Sequence, residues 1–182
     1  MHPTRTPVVS LELLLDATAE SHLRAQWTAL AEAGLSSMGA HTAPSNRPHV
    51  TLVVRPQIRA LSRAELDAVV TLPLALEIGD PVLFGSGDRR VLARSVTPSA
   101  ALLELHAALH ALVGNDGTDA AHTRPGEWTP HLTLARRLRA DDLPRALRIL
   151  DETAHPEGSG HAEATVLRRW DAASATVTDL VD

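Results

Sequence analysis

The sequence predicts one domain built as two similar lobes, with strands and helices alternating in each half. Two observations lead there. Short segments with apolar period two are separated by segments with helical period in both halves of the 182-residue chain. The pentapeptide Pro48-His49-Val50-Thr51-Leu52 returns as Pro130-His131-Leu132-Thr133-Leu134, close to half a chain length later. The length fits a single compact unit or two fused half-size lobes, and 44% hydrophobic with 21% charged residues supplies material for a core.

In the first half, residues 8–15 read as a strand with Val9, Leu11, Leu13 and Leu15 on one face. Asp16 or Thr18 caps a helix over 19–33, in which Leu23, Trp27, Leu30 and Ala31 recur at helical spacing and which Gly34 stops. A loop over 36–48 leads to a strand over 49–55. A helix over 61–70 follows, opened by Ser62 with Glu65 three residues on, and then a strand over 74–78. Residues 81–96 form a hairpin around Gly85-Ser86-Gly87-Asp88, which lacks the spacing of a phosphate-binding loop and reads as a turn. Beyond it come an amphipathic helix over 99–113 ended by Gly114, a long polar loop over 115–130, and a strand from 131 to 134 or slightly beyond. A helix over 142–150, a loop over 153–160 and strands over 162–170 and 175–181 complete the chain.

Composition narrows the chemistry. There is no cysteine, so disulfides, thiolate catalysis and Cys-ligated metal sites are excluded, and reactivity must come from His, carboxylates, hydroxyls or Arg. No apolar run approaches the roughly 18 residues of a membrane span, and residues 1–15 do not read as a signal peptide. A cytoplasmic monomer is the expectation. The net charge of -5 argues against broad adhesion to nucleic-acid backbones but leaves a short or single-nucleotide ligand open. All 17 basic residues are Arg, and the aromatics are Trp27, Trp128, Trp170 and Phe84.

In a strand, His49 and Thr51 point to one face and Val50 and Leu52 to the other, and His131 and Thr133 separate from Leu132 and Leu134 likewise. If the polar faces of two lobes meet, two imidazoles and two hydroxyls line one cleft. Such a set suits metal-free cleavage of a phosphodiester: one neutral imidazole takes a proton from the nucleophile, one imidazolium protonates the leaving oxygen, and the hydroxyls hold the non-bridging oxygens.

On these paired motifs the chain resembles the two-histidine (2H) phosphoesterases, and among them the bacterial RNA 2',3'-cyclic phosphodiesterases, also called 2'-5' RNA ligases. The resemblance runs over almost the whole chain. It implies an α+β fold for residues 1–182, bilobal with pseudo-twofold symmetry: two antiparallel-rich sheets, helices packed outside and a central cleft. It implies catalytic His49 and His131, with His49 as acid and His131 as base, and phosphate-binding Thr51 and Thr133. It also implies an Arg five positions after the second histidine, here Arg136. Strict alternation favours Arg137 for that face, so both stay open, and the same parity puts Arg55 beside the cleft. Family members commonly hold a base with aromatic rings, whereas this chain has no Tyr and one Phe. Trp128 either binds substrate by stacking on a base or fills a slot under the strand.

The reaction expected is opening of 2',3'-cyclic phosphates on RNA ends or small nucleotides, without cofactor or metal. The alternatives are 2'-5' RNA ligation and a non-catalytic RNA- or nucleotide-binding module. His106 and His110 have the spacing of a helical metal pair but no accompanying glutamate, and read instead as a polar helix face. Arg47 and Arg124, in the loops before the motifs, read as solvated. His122 lies in the 115–130 loop, and whether it nears the cleft stays open.

Overall fold

A computed structural model of the chain describes residues 6–153 and 160–182, so part of the loop expected over 153–160 lies outside the described residues. The strands are β1 (Val9–Leu15), β2 (His49–Arg55), β3 (Leu74–Phe84), β4 (Arg89–Val96), β5 (His131–Arg139), β6 (His161–Asp171) and β7 (Thr176–Val181). The α-helices are α1 (Ala17–Glu32), α2 (Arg63–Asp67), α3 (Ala100–Val113) and α4 (Leu143–Glu152). The local signals act as expected. Asp16 caps α1 by accepting from the backbone of Thr18 and Ala19, Ser62 and Glu65 close a capping box on α2, and Ser99 caps α3. α2 is shorter than the helix expected over 61–70, and β3 continues past residue 78 straight into the hairpin.

All strand pairings are antiparallel, in the order β1-β2-β5-β4-β3-β6-β7. Because β1 also pairs with β6, six strands form a closed circuit, and β7 extends β6 at its C-terminal half. The two sheets expected for two lobes are thus joined into one. Leu74 to Glu77 of β3 pair with the start of β6, while β2 and β5 meet through Val50 opposite Leu132. Helix α1 lies against β5 and β6, and α3 against β2 and β3, so the aliphatic face of each motif strand is covered.

Val50 and Leu132 occupy the same place in the repeated pentapeptide, so their pairing sets a local twofold relation between His49 and His131. The same symmetry extends to the flaws in the ladder. Leu11 pairs with Val53 but Glu12 with Thr51, making Leu52 an extra residue in β2. Leu92 pairs with Ala135 but Ala93 with Thr133, making Leu134 the extra residue in β5. Both leucines are 0% exposed, as are their neighbours Val53 and Ala135. Each bulge keeps two successive apolar side chains under the helices and reverses the alternation beyond them.

At the seam between β2 and β5 the strands diverge from one bridge. The carbonyl of Thr51 accepts from the indole N–H of Trp128 at 3.0 Å, and that of Thr133 from the indole N–H of Trp27 at 3.0 Å. Each tryptophan therefore supplies a donor beside the single bridge. Replacing Trp27 or Trp128 with Phe keeps most of the apolar surface and removes the N–H. Each change is expected to lower stability by about 1–3 kcal/mol in urea unfolding, the cost of a carbonyl left unpaired in a packed interior.

Candidate active site

Both histidines begin a strand and are held alike. The ring of His49 donates through Nδ1 to the carbonyl of Arg47 at 2.7 Å, and that of His131 through Nδ1 to the carbonyl of Thr129 at 2.7 Å. This fixes the tautomer and leaves Nε2 of each ring for chemistry. The segment before His49 is anchored: Arg47 is not solvated but paired with Glu20 of α1 at 2.5 Å. Arg124, by contrast, is exposed and pairs with Glu127 at 4.0 Å.

Thr51 and Thr133 share the face of their histidines, partly exposed, while Val50, Leu52, Leu132 and Leu134 are buried on the other. The bulge sets the face on which Arg136 lies. With Leu134 and Ala135 both turned inward beneath the helices, Arg136 returns to the His131 face, and its charge acts on His131. The corresponding bulge in β2 overturns the expectation for Arg55. Its side chain lies on the helix-covered face, 2% exposed, bound to Asp119 at 2.7 and 3.0 Å and to the carbonyls of Val113 and Gly114 at the end of α3.

Trp128 is partly buried and its indole is engaged within the fold. Its N–H is used by Thr51, one face stacks on His106 at 3.9 Å and 2°, and it packs against the core. His106 and His110 are not a polar face: they are 3% and 6% exposed, and their Nε2 atoms lie 3.0 Å from the carbonyl of Thr123 and 3.2 Å from that of Leu52. Leu52 is the bulge residue, so the pair supports the irregular backbone behind the motif. Among the described residues no three His, Asp or Glu side chains converge as a metal site.

Three groups in the site have weak sequence signals. Glu12, opposite Thr51 in β1, places Oε1 3.7 Å from Nε2 of His49. Glu12 and its partner Arg168 are each 4% exposed, joined at 2.8 and 2.9 Å, and Ser10 donates to Glu12 at 2.6 Å. Burial pushes the Glu12 carboxyl up, but His49, Arg168 and Ser10 together hold it below its ordinary range. The signal for it was a lone carboxylate in a strand that is otherwise apolar except for Ser10. Phe84, at the end of β3, lies 4.6 Å from the His131 ring. His122, left open by the sequence, comes within electrostatic reach of His131.

The electrostatics of the two imidazoles differ. Burial, then the positive charges of His122, His49 and Arg136, lower the pKa of His131 against the opposing hydrogen bond to Thr129. His49 instead faces the Glu12 carboxylate. Two related strands thus present two imidazoles and two hydroxyls beside an arginine, an arrangement able to hold a phosphate group and move protons on either side of it.

A domain of this fold and site is of the two-histidine phosphoesterase class. Residues 19–181 match the family described as the 2'-5' RNA ligase superfamily, and the chain belongs to that superfamily. Among solved structures it is similar to Usb1 of Kluyveromyces marxianus, at 11% identity and a TM-score of 0.51, covering 96% of this chain and 98% of that one. The same protein with uridine monophosphate matches at 10% identity and a TM-score of 0.50, over 97% and 99% of the two chains. At such identities the likeness concerns the fold. Comparison with curated protein sequences gives no match.

The His106 environment has a measurable consequence. Burial first, then His110, push its pKa from 6.5 down to about 4. In that window the unfolded chain binds a proton that the folded one does not, so stability is full above the window and falls as pH drops through it, by up to about 1.4 kcal/mol per pH unit. Urea unfolding of the wild type between pH 7 and pH 4 is expected to show this loss, and His106→Gln to flatten the slope.

Proposed function

We propose that this chain is a phosphoesterase that opens 2',3'-cyclic phosphates on RNA ends or small nucleotides. The observation that carries the reading is the pair of imidazoles, each with Nδ1 locked on a backbone carbonyl, set on symmetry-related strands in opposite electrostatic surroundings. His131, whose neutral form burial and the neighbouring cations favour, serves as base: its Nε2 takes a proton from water as the oxygen attacks phosphorus. His49, beside the Glu12 carboxylate, serves as acid and protonates the 3' oxygen as the P–O3' bond breaks, leaving a 2'-phosphate and a 3'-hydroxyl. Thr51, Thr133 and Arg136 hold the non-bridging oxygens, on which charge builds in the transition state. Phe84, beside His131, takes the base-contact role first considered for Trp128. That a protein of similar fold, Usb1 of Kluyveromyces marxianus, has a structure with uridine monophosphate favours a nucleotide as the ligand here.

The test is turnover of 2',3'-cyclic nucleotides and cyclic-ended oligonucleotides with the product phosphate position determined. His49→Ala and His131→Ala, properly folded, should each lose about 10²–10⁴-fold in kcat. The pH profile should be bell-shaped, its acid limb falling below the usual histidine value of about 6.5 because the base is His131. Activity should survive chelation; loss in chelator restored by zinc or manganese would move the reading to a metal hydrolase. Wild-type rates in either histidine variant would overturn it. Joining of RNA ends in place of ring opening would assign the ligase reaction, and binding without turnover a non-catalytic module.

A further inference from the structure

We propose that Arg89, Arg136, Arg137 and Arg139 form a phosphate track that carries single-stranded RNA away from the two histidines. The substrate would then be an RNA end, with a free mononucleotide the poorer ligand. The inference rests on the reading above for the position of the reacting phosphate. Its own basis is the second half of β5 and the start of β4.

β5 runs from His131 to Arg139, roughly 26 Å at about 3.3 Å per residue. Arg136 begins the row at the cleft, where its charge acts on His131. Arg136 and Arg137 are consecutive and both exposed, because the register slips again between Arg90 and Leu92 and Arg137 takes a left-handed φ of 60°. Arg89 donates to the carbonyl of Arg137 at 3.4 Å and lies directly opposite Arg139 on the neighbouring strand. The row is therefore continuous across two strands and starts at the site.

These features cost the fold stability. Like charges directly opposite each other on adjacent strands are destabilising, and a left-handed conformation at a residue with a Cβ is strained. Charge pairing does not relieve this. Arg139 reaches Asp141 at 4.0 Å with both side chains largely exposed, and among the described residues Arg89, Arg136 and Arg137 have no carboxylate within that distance. Arginines elsewhere, such as Arg47, Arg55, Arg59 and Arg168, are placed against carboxylates. In a chain of net charge -5, four exposed guanidinium groups, three of them with no carboxylate of the described residues within 4.0 Å, are thus gathered along the far half of β5 and the start of β4. A polyanion whose last phosphate is the reacting group supplies the missing charges in register: the backbone of an RNA strand.

The test uses Arg89→Gln/Arg139→Gln, exposed positions outside the reacting site, and a fluorescent eight-nucleotide single-stranded RNA ending in a 2'-phosphate. The track predicts affinity weakened roughly 3- to 30-fold at low salt, the loss of two exposed charge contacts. It also predicts a salt dependence shallower by about 1.4 in the log–log slope, at about 0.7 per phosphate on a single strand. Turnover of a 2',3'-cyclic mononucleotide should not change, and thermal stability should hold or rise as the like-charge pair is removed. Unchanged RNA affinity and slope in the folded variant would overturn the track, as would an equal loss of mononucleotide turnover. Binding to phosphatidylserine vesicles lost on the same substitutions, with no RNA binding by the wild type, would overturn it in favour of a membrane surface. If the wild type turns over no cyclic phosphate, the proposed reaction fails while RNA binding still decides the track.

Discussion

The seam between β2 and β5 is the constraint on which the rest of the molecule depends. Two motif strands meet through Val50 and Leu132, then diverge, and the next carbonyl on each side accepts from an indole of a distant segment. A continuous ladder would run the two strands alongside each other over their whole length and leave no opening between them. A single bridge with flanking donors lets the strands part while their backbone polar groups stay paired. Trp27 comes from α1 and Trp128 from the segment before β5, so each lobe's motif strand is braced by a residue from elsewhere in the chain.

The bulges follow from the same requirement. An extra leucine after each His-x-Thr keeps two apolar side chains under the helices and turns the strand as it leaves the seam. The consequences differ between lobes because the residues beyond the bulge differ. In β5 the reversal brings Arg136 to the His131 side of the strand, whereas in β2 it buries Arg55 against Asp119 and the end of α3. A symmetric backbone device therefore leaves a cation beside His131 in one lobe and makes a structural clasp in the other.

Charge breaks the symmetry further. Opposite Thr51 stands Glu12, and opposite Thr133, at the corresponding place in β4, stands Ala93. A carboxylate buried to this degree is costly unless it is fully engaged, and Arg168 and Ser10 engage it. One imidazole is left facing an anion and the other facing cations, the asymmetry on which the proposed assignment of acid and base rests.

Much of the fold was legible in the sequence because its signals are local. Asp16, Ser62 and Ser99 act on backbone within three residues, the alternation of His-x-Thr against its aliphatics follows from strand geometry, and the repeat declares itself by identity. The pairing of the two histidines was readable for that reason. Parity failed as a guide past Leu52 and Leu134, since a bulge is set by how the strand must bend over its helices. Arg55 was misplaced on that account. The face on which Arg136 lies also had to wait for the register. Glu12, Phe84, the burial of His106 and the internal hydrogen bond of Trp128 came only from tertiary structure. Each depends on which residue stands across a strand or beneath a helix, and that is decided when segments distant in sequence pack together. The sequence by itself determined the elements, the repeated motif and the two imidazoles; packing decided which charges surround them, because electrostatic surroundings belong to neighbours in space.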